Sequence, residues 1–551
     1  MIRITKYKFL FALAGLLVMA SSCKKSYVDL LPPTSLLPDQ ALATEADIQV
    51  ALRGAYAGFR ATDFFGRTVP LLGDLMADNT YQSLTNTNRY TAFNLYNFTS
   101  ADGNVAGFWT AAYNTILRAN NIINASPKIT NQANVNQYKG EAYAIRALCY
   151  FYLVQYFARP YTDDPNGAGV PIVLTYDANA KPSRNTVKEV YTQILSDLTQ
   201  ATSLMTQFVN SSQFSKYAAR GLQAKVYLTM GDKTNAKTAA LDVINNSGFT
   251  LLSAANYVSF WSTLTPRTDK VETLFETSSD AINNQGFDAL ANIYNQAGYG
   301  DFLLSDEFFP VVAFNTPKNG TAAMGTANMS AGSITSVDII NGGSGYSTSA
   351  SNTTPAVIFA APPFGGTTAT GTATLTGGSI SAVTVTNPGT NYQQLLEPTD
   401  VRRGLYVTVN RGGIAGIAAD KKYPGTYGSE ISDPKIIRMS EMYLIAAEAS
   451  LPGNEADALT YVNYLTSRRN ASAIASTGAQ LFEDIITERR KELALDGIRY
   501  LDLQRLKRDV VRSNDFPPSA RSIPYSNFRR ILPIPQQEIN ANPNIAQNPG
   551  Y

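Results

Sequence analysis

The sequence predicts a mainly α chain, a body of tetratricopeptide-like helical hairpins that carries a small inserted β-rich repeat module. Three observations predict it. Long stretches place apolar residues at helical spacing, two segments share one Ala and Gly spacing, and a low-charge region repeats itself once.

The chain begins with a basic lead, Arg3, Lys6 and Lys8, followed by the uncharged and mostly apolar run Phe9 to Ala20 and the small residues before Cys23. This is the layout of a secretory signal over residues 1–22. An apolar helix of that length rises about 18 Å, whereas a bilayer core needs about twenty residues, so the segment is too short for a permanent span. Ala20, Ser21 and Ser22 ahead of Cys23 resemble a bacterial lipoprotein cleavage box. In such a box the cysteine is acylated and becomes the new N-terminus, and two or three acyl chains at about 0.8 kcal/mol per buried methylene anchor the protein. Cys23 is therefore the expected lipidation site, with plain cleavage of the signal as the competing reading, and Cys149, in the apolar run "IRALCYFYLVQYF", is expected to act as a small core hydrophobe.

Helices are predicted for "EADIQVALRGAYAGFR", "FWTAAYNTILRANNIINA", "YKGEAYAIRALCYFYLVQYFA" and "TVKEVYTQILSDLTQATSLM". In "AKVYLTMGDKTNAKTAALDVI" and "AAEASLPGNEADALTYVNYL", Ala224, Gly231 and Ala236 recur at the spacing of Ala446, Gly453 and Ala458. Each reads as two antiparallel helices joined at a Gly turn, with small residues where the helices approach. The competing reading is that any helical hairpin uses Ala and Gly in this way.

From residue 318 to 394 the chain turns rich in Gly, Thr, Ser and Ala and nearly loses its charges. Aligning 321–346 with 367–392 matches identical residues at 12 of 26 positions. In each copy an alternating strand (Val337 and Ile339, Val383 and Val385) meets a Gly-containing turn and then a Tyr, Tyr346 or Tyr392. An inserted β module is predicted; a disordered linker is the alternative for such low-complexity text. The body is thus divided into residues 23–317 and 395–551.

Near the C-terminus, "TERRKELALDGIRYLDLQRLKR" sets Glu488, Glu492, Asp496 and Asp502 beside Arg490, Arg499 and Arg505. Glu488 and Glu492 lie one helical turn apart, and Gly497 is placed to end the helix. An ion-pair lattice docking two helices is the expected role, with an acid/base pair as the competing one.

Composition excludes several functions. The chain has no histidine, which removes the commonest general base and zinc ligand, so Ser-His-Asp and metal-hydrolase chemistries are disfavoured. Paired carboxylates, as in glycosidases, stay chemically open. A balance of 45 basic and 43 acidic residues offers no attraction to nucleic acid. Tyrosine is abundant, at 31, and clusters with Asn in loops such as "DNTYQSLTNTNRYTAFNLYNFTSADGN", a pairing that suits sugar or peptide surfaces.

Several motifs in order carry a resemblance: "YVDLLPPTS" soon after Cys23, "RANNIIN", "GEAYAIRALCYFYLVQYFARPY", "NTVKEVYTQILSDLTQA", "IIRMSEMYLIAAEA", "ERRKELALDGIRYLDLQRL" and the ending "LPIPQQEINANPNIAQNPGY". The chain resembles the SusD/RagB family of outer-membrane nutrient-binding lipoproteins of Bacteroidota over nearly all of the mature length except the insertion. The resemblance implies a SusD-like helical body at the cell surface, seated on a SusC-like TonB-dependent transporter, which captures an oligomeric nutrient without catalysis or cofactor. The ligand it implies is an oligosaccharide, with a peptide as the alternative; a carboxylate glycosidase and a protein-binding adaptor are the rivals from other classes. By family habit, capture residues come from loops after the early helices and from the segment ahead of Asp400 to Arg402, here Asp78, Tyr81, Arg89, Tyr90, Tyr96, Tyr294 and Tyr299. For each tyrosine the competing role is an amphipathic ring covering the body. Trp109 and Trp261, in apolar contexts, are expected in the core.

Overall fold

A computed structural model describes residues 41–128, 131–347, 354–425 and 431–551. The leader over 1–22 and Cys23 lie outside the described residues.

The body is built from amphipathic and fully buried helices in sequence order. Helix α1 (Glu45–Phe59) starts at Thr44, whose hydroxyl accepts from the Asp47 amide while the Asp47 carboxylate accepts from the Thr44 amide. After α2 (Thr68–Leu75) come α3 (Gly103–Asn124) and α4 (Gln132–Phe157). Helix α4 is buried on nearly every side from Gly140 to Phe157 and runs through the middle of the core, where Cys149 is fully buried and free. Its neighbour α5 (Val187–Leu204) opens on a second capping box, Thr186 with Glu189. Between them Arg146 of α4 grips Asp197 of α5 through two bonds of 2.8 and 2.6 Å.

The two segments with matching Ala and Gly spacing are helical hairpins, α6 (Lys216–Met230) with α7 (Lys233–Asn246), and α8 (Met439–Ala449) with α9 (Glu455–Ser467). Gly231 closes the first at φ +79°, a left-handed conformation that costs glycine nothing. Ala224, Ala236, Ala446 and Ala458 are all fully buried. The hairpins stack on one another through α7 and α8, and Lys237 pairs with Asp457 across them at 2.7 Å. Residues more than 200 positions apart thus form one continuous layer, as tetratricopeptide-like stacking requires.

Short strands cap one flank of the helices. Strands β1 (Thr80–Gln82), β3 (Phe302–Leu304), β11 (Ile414–Ala418) and β10 (Val407–Arg411) form a four-stranded antiparallel sheet in that spatial order. Strand β2 (Thr273–Glu276) pairs with β12 (Lys435–Arg438), which leads directly into α8.

The C-terminal charged motif forms α10 (Gly478–Glu492) and α11 (Arg499–Arg505), and its lattice is buried rather than superficial. Glu492 accepts from Arg438 at 2.8 Å, from Arg469 at 2.9 Å through each oxygen, and from Arg402 at 3.2 Å. Arg402 also grips Asp400, and Arg438 reaches Glu272 and Asp496. Although burial opposes ionisation of Glu492, the three guanidiniums hold its carboxyl well below the usual carboxylate range. Beneath the cluster lies Trp261, with the Lys422 ammonium 4.5 Å from its ring centre. Glu488 and Asp502 are likewise held, by Arg402 and by Arg489 with Arg505. These carboxylates are scaffold, closed to solvent and to substrate. After α10 the chain turns at Gly497, φ +76°, where a Cβ would press on the Pro70 backbone. Asp74 of α2 completes the join by accepting from the Leu495 and Gly497 amides at 3.0 and 2.8 Å.

The insertion is ordered and β-rich. Hairpin β5 (Met324–Ser330) with β6 (Ser333–Asn341) is repeated as β8 (Thr370–Thr376) with β9 (Ser379–Asn387), in the same register and with bulges at the same places. The two copies clasp each other reciprocally: the Ile334 amide donates to the Pro388 carbonyl and the Ile380 amide to that of Gly342, both at 2.8 Å. The Tyr346 amide donates to the Gly378 carbonyl and the Tyr392 amide to that of Gly332, both at 3.0 Å. The recurrent tyrosines close this clasp, each hydroxyl accepting from an amide 23 residues earlier, Ala323 and Ala369, at 2.9 Å. Ile334, Val337, Ile380 and both rings form a core separate from that of the body. Between the copies the chain returns to the body as β7 (Val357–Phe359), paired with β4 (Val312–Phe314), so the module is tied to its host at its middle as well as its ends.

Candidate functional site

The loop after β1 is held rigid by its own polar side chains. The Gln82 amide group donates to the Arg89 carbonyl, the Asn86 side chain and the Thr91 hydroxyl at 3.0, 3.0 and 2.9 Å. Asp301, just ahead of β3, accepts from the Thr87 amide at 2.9 Å and from its hydroxyl at 2.5 Å. Asn88 and Tyr90 take left-handed backbone angles, φ +61° and +57°, which turn the chain sharply on either side of Arg89.

That turn lays the Arg89 guanidinium over the Tyr299 ring, 3.8 Å from its centre, with a 2.8 Å bond to the tyrosine hydroxyl. Phe287 meets the same ring edge-on at 4.5 Å. Asp288 sits 3.4 Å from Arg89 and 2.8 Å from Arg67. From the β10–β11 turn, Arg411 donates to the carbonyls of Thr85 and Tyr299 and to the Gln296 side chain. Leu84 and Ile414 stand exposed beside this group, at 71% and 46%. The result is an open face of two half-exposed rings, two guanidiniums and a carboxylate on a fixed backbone. Rings of this kind stack on the apolar faces of a ligand while the charged and amide groups bond its polar edges.

Of the residues expected at the site, the structure brings Arg89 and Tyr299 together on this face. It sends the others into the core. Asp78 is gripped by Arg499 through bonds of 2.7 and 2.8 Å; burial opposes its ionisation, but Arg490 and Arg499 hold its carboxyl well below the usual range. Tyr81 packs edge-on against Phe516 at 6.0 Å. Tyr90 lies beneath the face, its hydroxyl bonded to Arg67 and Thr68 at 2.8 and 2.7 Å. Tyr96 donates to the Met76 carbonyl under the Arg512 guanidinium, and Tyr294 stacks on Tyr423 at 5.7 Å. All five are under 8% exposed, so none offers its side chain at the surface, and of them Tyr90 is tied to this face through Arg67, which also pairs with Asp288. Trp109 and Trp261 are core residues. The sequence-based set omitted Phe287, Asp288, Gln296 and Arg411. For Arg411 a signal existed: "VTVNRGGIAGIA" alternates around Gly-Gly, which reads as a hairpin with Arg411 at its tip.

A separate hollow of about 640 Å³ opens between α1 and α3, lined half by Ala and Gly and half by polar residues, without an aromatic side chain. It offers nothing for a ring to stack on. Among the described residues no cluster of carboxylates or thiols could hold a metal ion, and no helix is long and apolar enough to cross a membrane.

Mostly helical, with small sheets and a loop-built aromatic face, the chain has the architecture of the SusD superfamily. Residues 26–228 match the SusD-like family described as starch-binding and associating with the outer membrane, and residues 406–551 match the SusD family. SusD-like protein P2 of Formosa agariphila is 30% identical over 99% of this chain and 100% of its own. A SusD superfamily protein of Bacteroides thetaiotaomicron is 26% identical with a TM-score of 0.71, covering 92% of this chain and 100% of that one. A candidate sugar-binding protein of Bacteroides vulgatus is 25% identical with a TM-score of 0.69, over 93% and 99%. The chain belongs to the SusD family.

Proposed function

We propose that this protein captures an oligomeric nutrient, a glycan, on the face around Arg89 and Tyr299 and delivers it to a SusC-like TonB-dependent transporter. It acts without catalysis, held to the outer membrane through an acylated Cys23 and directed to the cell surface. The observation that carries the reading is the half-exposed Arg89–Tyr299 pair on an immobilised loop, a polar and aromatic surface that needs no reorganisation to meet a hydroxyl-rich ring. The family's description as starch-binding and membrane-associated supports both the ligand class and the location. A peptide is the alternative ligand within the same family.

The test is a binding screen of residues 24–551 against oligosaccharides and peptides, followed by calorimetry on Tyr299→Ala. A stacking ring contributes on the order of 1 kcal/mol, so the variant should bind about five- to tenfold more weakly with its melting unchanged. Binding equal to the parent would move the site away from this face.

A further inference from the structure

The first hairpin of the insertion lies against the body and the second faces solvent, although the two share register, bulges and closing tyrosine. Thr408 donates to the Gly325 carbonyl at 2.8 Å and Arg403 to the Ala327 carbonyl at 3.2 Å, and these bonds hold the first copy beside the segment that follows Asp400. A cleft of about 580 Å³ remains between them, within the range of small-ligand sites.

The side chains of the two copies differ where the cleft is. On the second copy, Thr370, Thr372, Thr374, Thr384 and Thr386 form an exposed and uniform threonine face. The same positions of the first copy, 46 residues earlier, carry Met324, Thr326, Asn328, Asp338 and Ile340, and all five line the cleft. Packing alone does not require a carboxylate there, because Asp338 is exposed and, among the described residues, is in no ion pair within 4 Å, although its charge acts on the Arg403 guanidinium across the cleft. Its contact is the Asn328 amide group, which donates to it at 2.7 Å and so orients both side chains. On the opposite wall Lys421 is exposed and, among the described residues, without a partner. Arg403 lies over the Phe309 ring at 4.5 Å with one of its guanidinium nitrogens unbonded. Ile340, 63% exposed, adds an apolar edge.

We infer that this cleft between the inserted module and the body is a second saccharide-binding site, separate from the Arg89–Tyr299 face. It takes a short, hydroxyl-rich stretch of glycan: Asp338 and the side-chain oxygen of Asn328, whose amide nitrogen is already committed to Ser336 and Asp338, accept from sugar hydroxyls, Arg403 and Lys421 donate to hydroxyl and ring oxygens, and Ile340 covers an apolar ring edge. The inference rests on the glycan reading above. Two sites on one chain give a longer oligosaccharide the advantage of an intramolecular second contact.

The test uses the full chain and the oligosaccharides of four to ten units that it retains from an array. The double variant Asn328→Thr with Asp338→Thr gives the first copy the residues that the second copy already carries on the same hairpin. It should melt like the parent and bind these oligosaccharides about tenfold more weakly, while Tyr299→Ala leaves the cleft's contribution in place. Should the double variant melt lower, Lys421→Gln on the exposed opposite wall decides, with an expected loss of about threefold. Titrations of the cleft variants that superimpose on the parent's overturn the second site, and if Tyr299→Ala still weakens binding the capture reading stands alone. Retention of peptides but no oligosaccharide overturns both.

Discussion

In the body, Glu492 is held by Arg469, Arg438 and Arg402, which lie 23, 54 and 90 residues away along the chain. In the inserted module, Tyr346 and Tyr392 each close on an amide 23 residues back, and every reciprocal bond of the clasp stays within the repeat. The first region is organised by buried charges that are worthless until distant segments meet, the second by neutral backbone groups and a small apolar core that a local repeat supplies twice. Desolvating an ion costs several kcal/mol unless its partners are in place, so the lattice enforces one arrangement of the body at the expense of tolerance to change. The module has no such demand.

Breaking the lattice should have the largest effect. Glu492→Ala leaves three buried guanidiniums without their shared carboxylate and should cost about 3–5 kcal/mol in urea unfolding. A loss under 1 kcal/mol would mean that water or a neighbouring carboxylate takes over the role.

The next difference appears with pH, because the body contains buried carboxyls of opposite behaviour and the module core contains none. Glu141, buried against the Tyr56 hydroxyl at 2.6 Å, has its carboxyl pushed up to about 7 by desolvation. An unfolded glutamate ionises near about 4.3, so above that value the folded state holds a proton that the unfolded state has lost. Stability then falls as pH rises, by up to about 1.4 kcal/mol per unit, until the folded group ionises near 7. Glu141→Gln should flatten the melting profile between about pH 5 and pH 7. Asp78 and Glu492, both depressed, act in the other direction: their stabilisation is present above about pH 4 and is lost as pH falls further.

Replacing residues 318–394 by a short Gly-Ser loop sharpens the comparison. Loop length changes closure cost only slowly, so the body should remain folded. It should lose about 2 kcal/mol, because β4 is left without the β7 strand that pairs with it. A collapse of the melting transition would show that the module belongs to the core of the body. Tyr392→Phe should have the smallest effect, about 1 kcal/mol, through loss of the bonds to Ala369 and Ala360. Hydrogen exchange should quicken in both hairpins, since each copy clasps the other, and stay unchanged in α4.

The elements that could be read from the sequence were those whose signal is local. Apolar residues at helical spacing mark the long helices, Gly231 marks a turn, and the equal spacing of Ala224 with Ala446 predicts two hairpins that prove to stack directly on each other. The repeat at 321–346 and 367–392 carries its register in the sequence, because alternation and turn chemistry act within a few residues. The charged motif was legible as scaffold, but its depth was not: a glutamate on a charged helix looks alike on a surface and in a core until Arg402, Arg438 and Arg469 are known to converge on Glu492.

The fate of the loop tyrosines was decided only by tertiary structure. Tyr81, Tyr90, Tyr96 and Tyr294 sit in polar, Asn-rich text that suits a binding surface, yet Phe516, Arg67, Arg512 and Tyr423 cover them from other parts of the chain. Tyr299 has equally undistinguished neighbours in sequence, but among the described residues its ring contacts come from Phe287 and Arg89, and part of it remains open. Tyrosine is amphipathic and can satisfy its hydroxyl in water or against a buried partner at similar cost, so its own identity and local context leave both outcomes open. Which one holds depends on the segments that arrive from elsewhere, and those are fixed by the packing of the whole body.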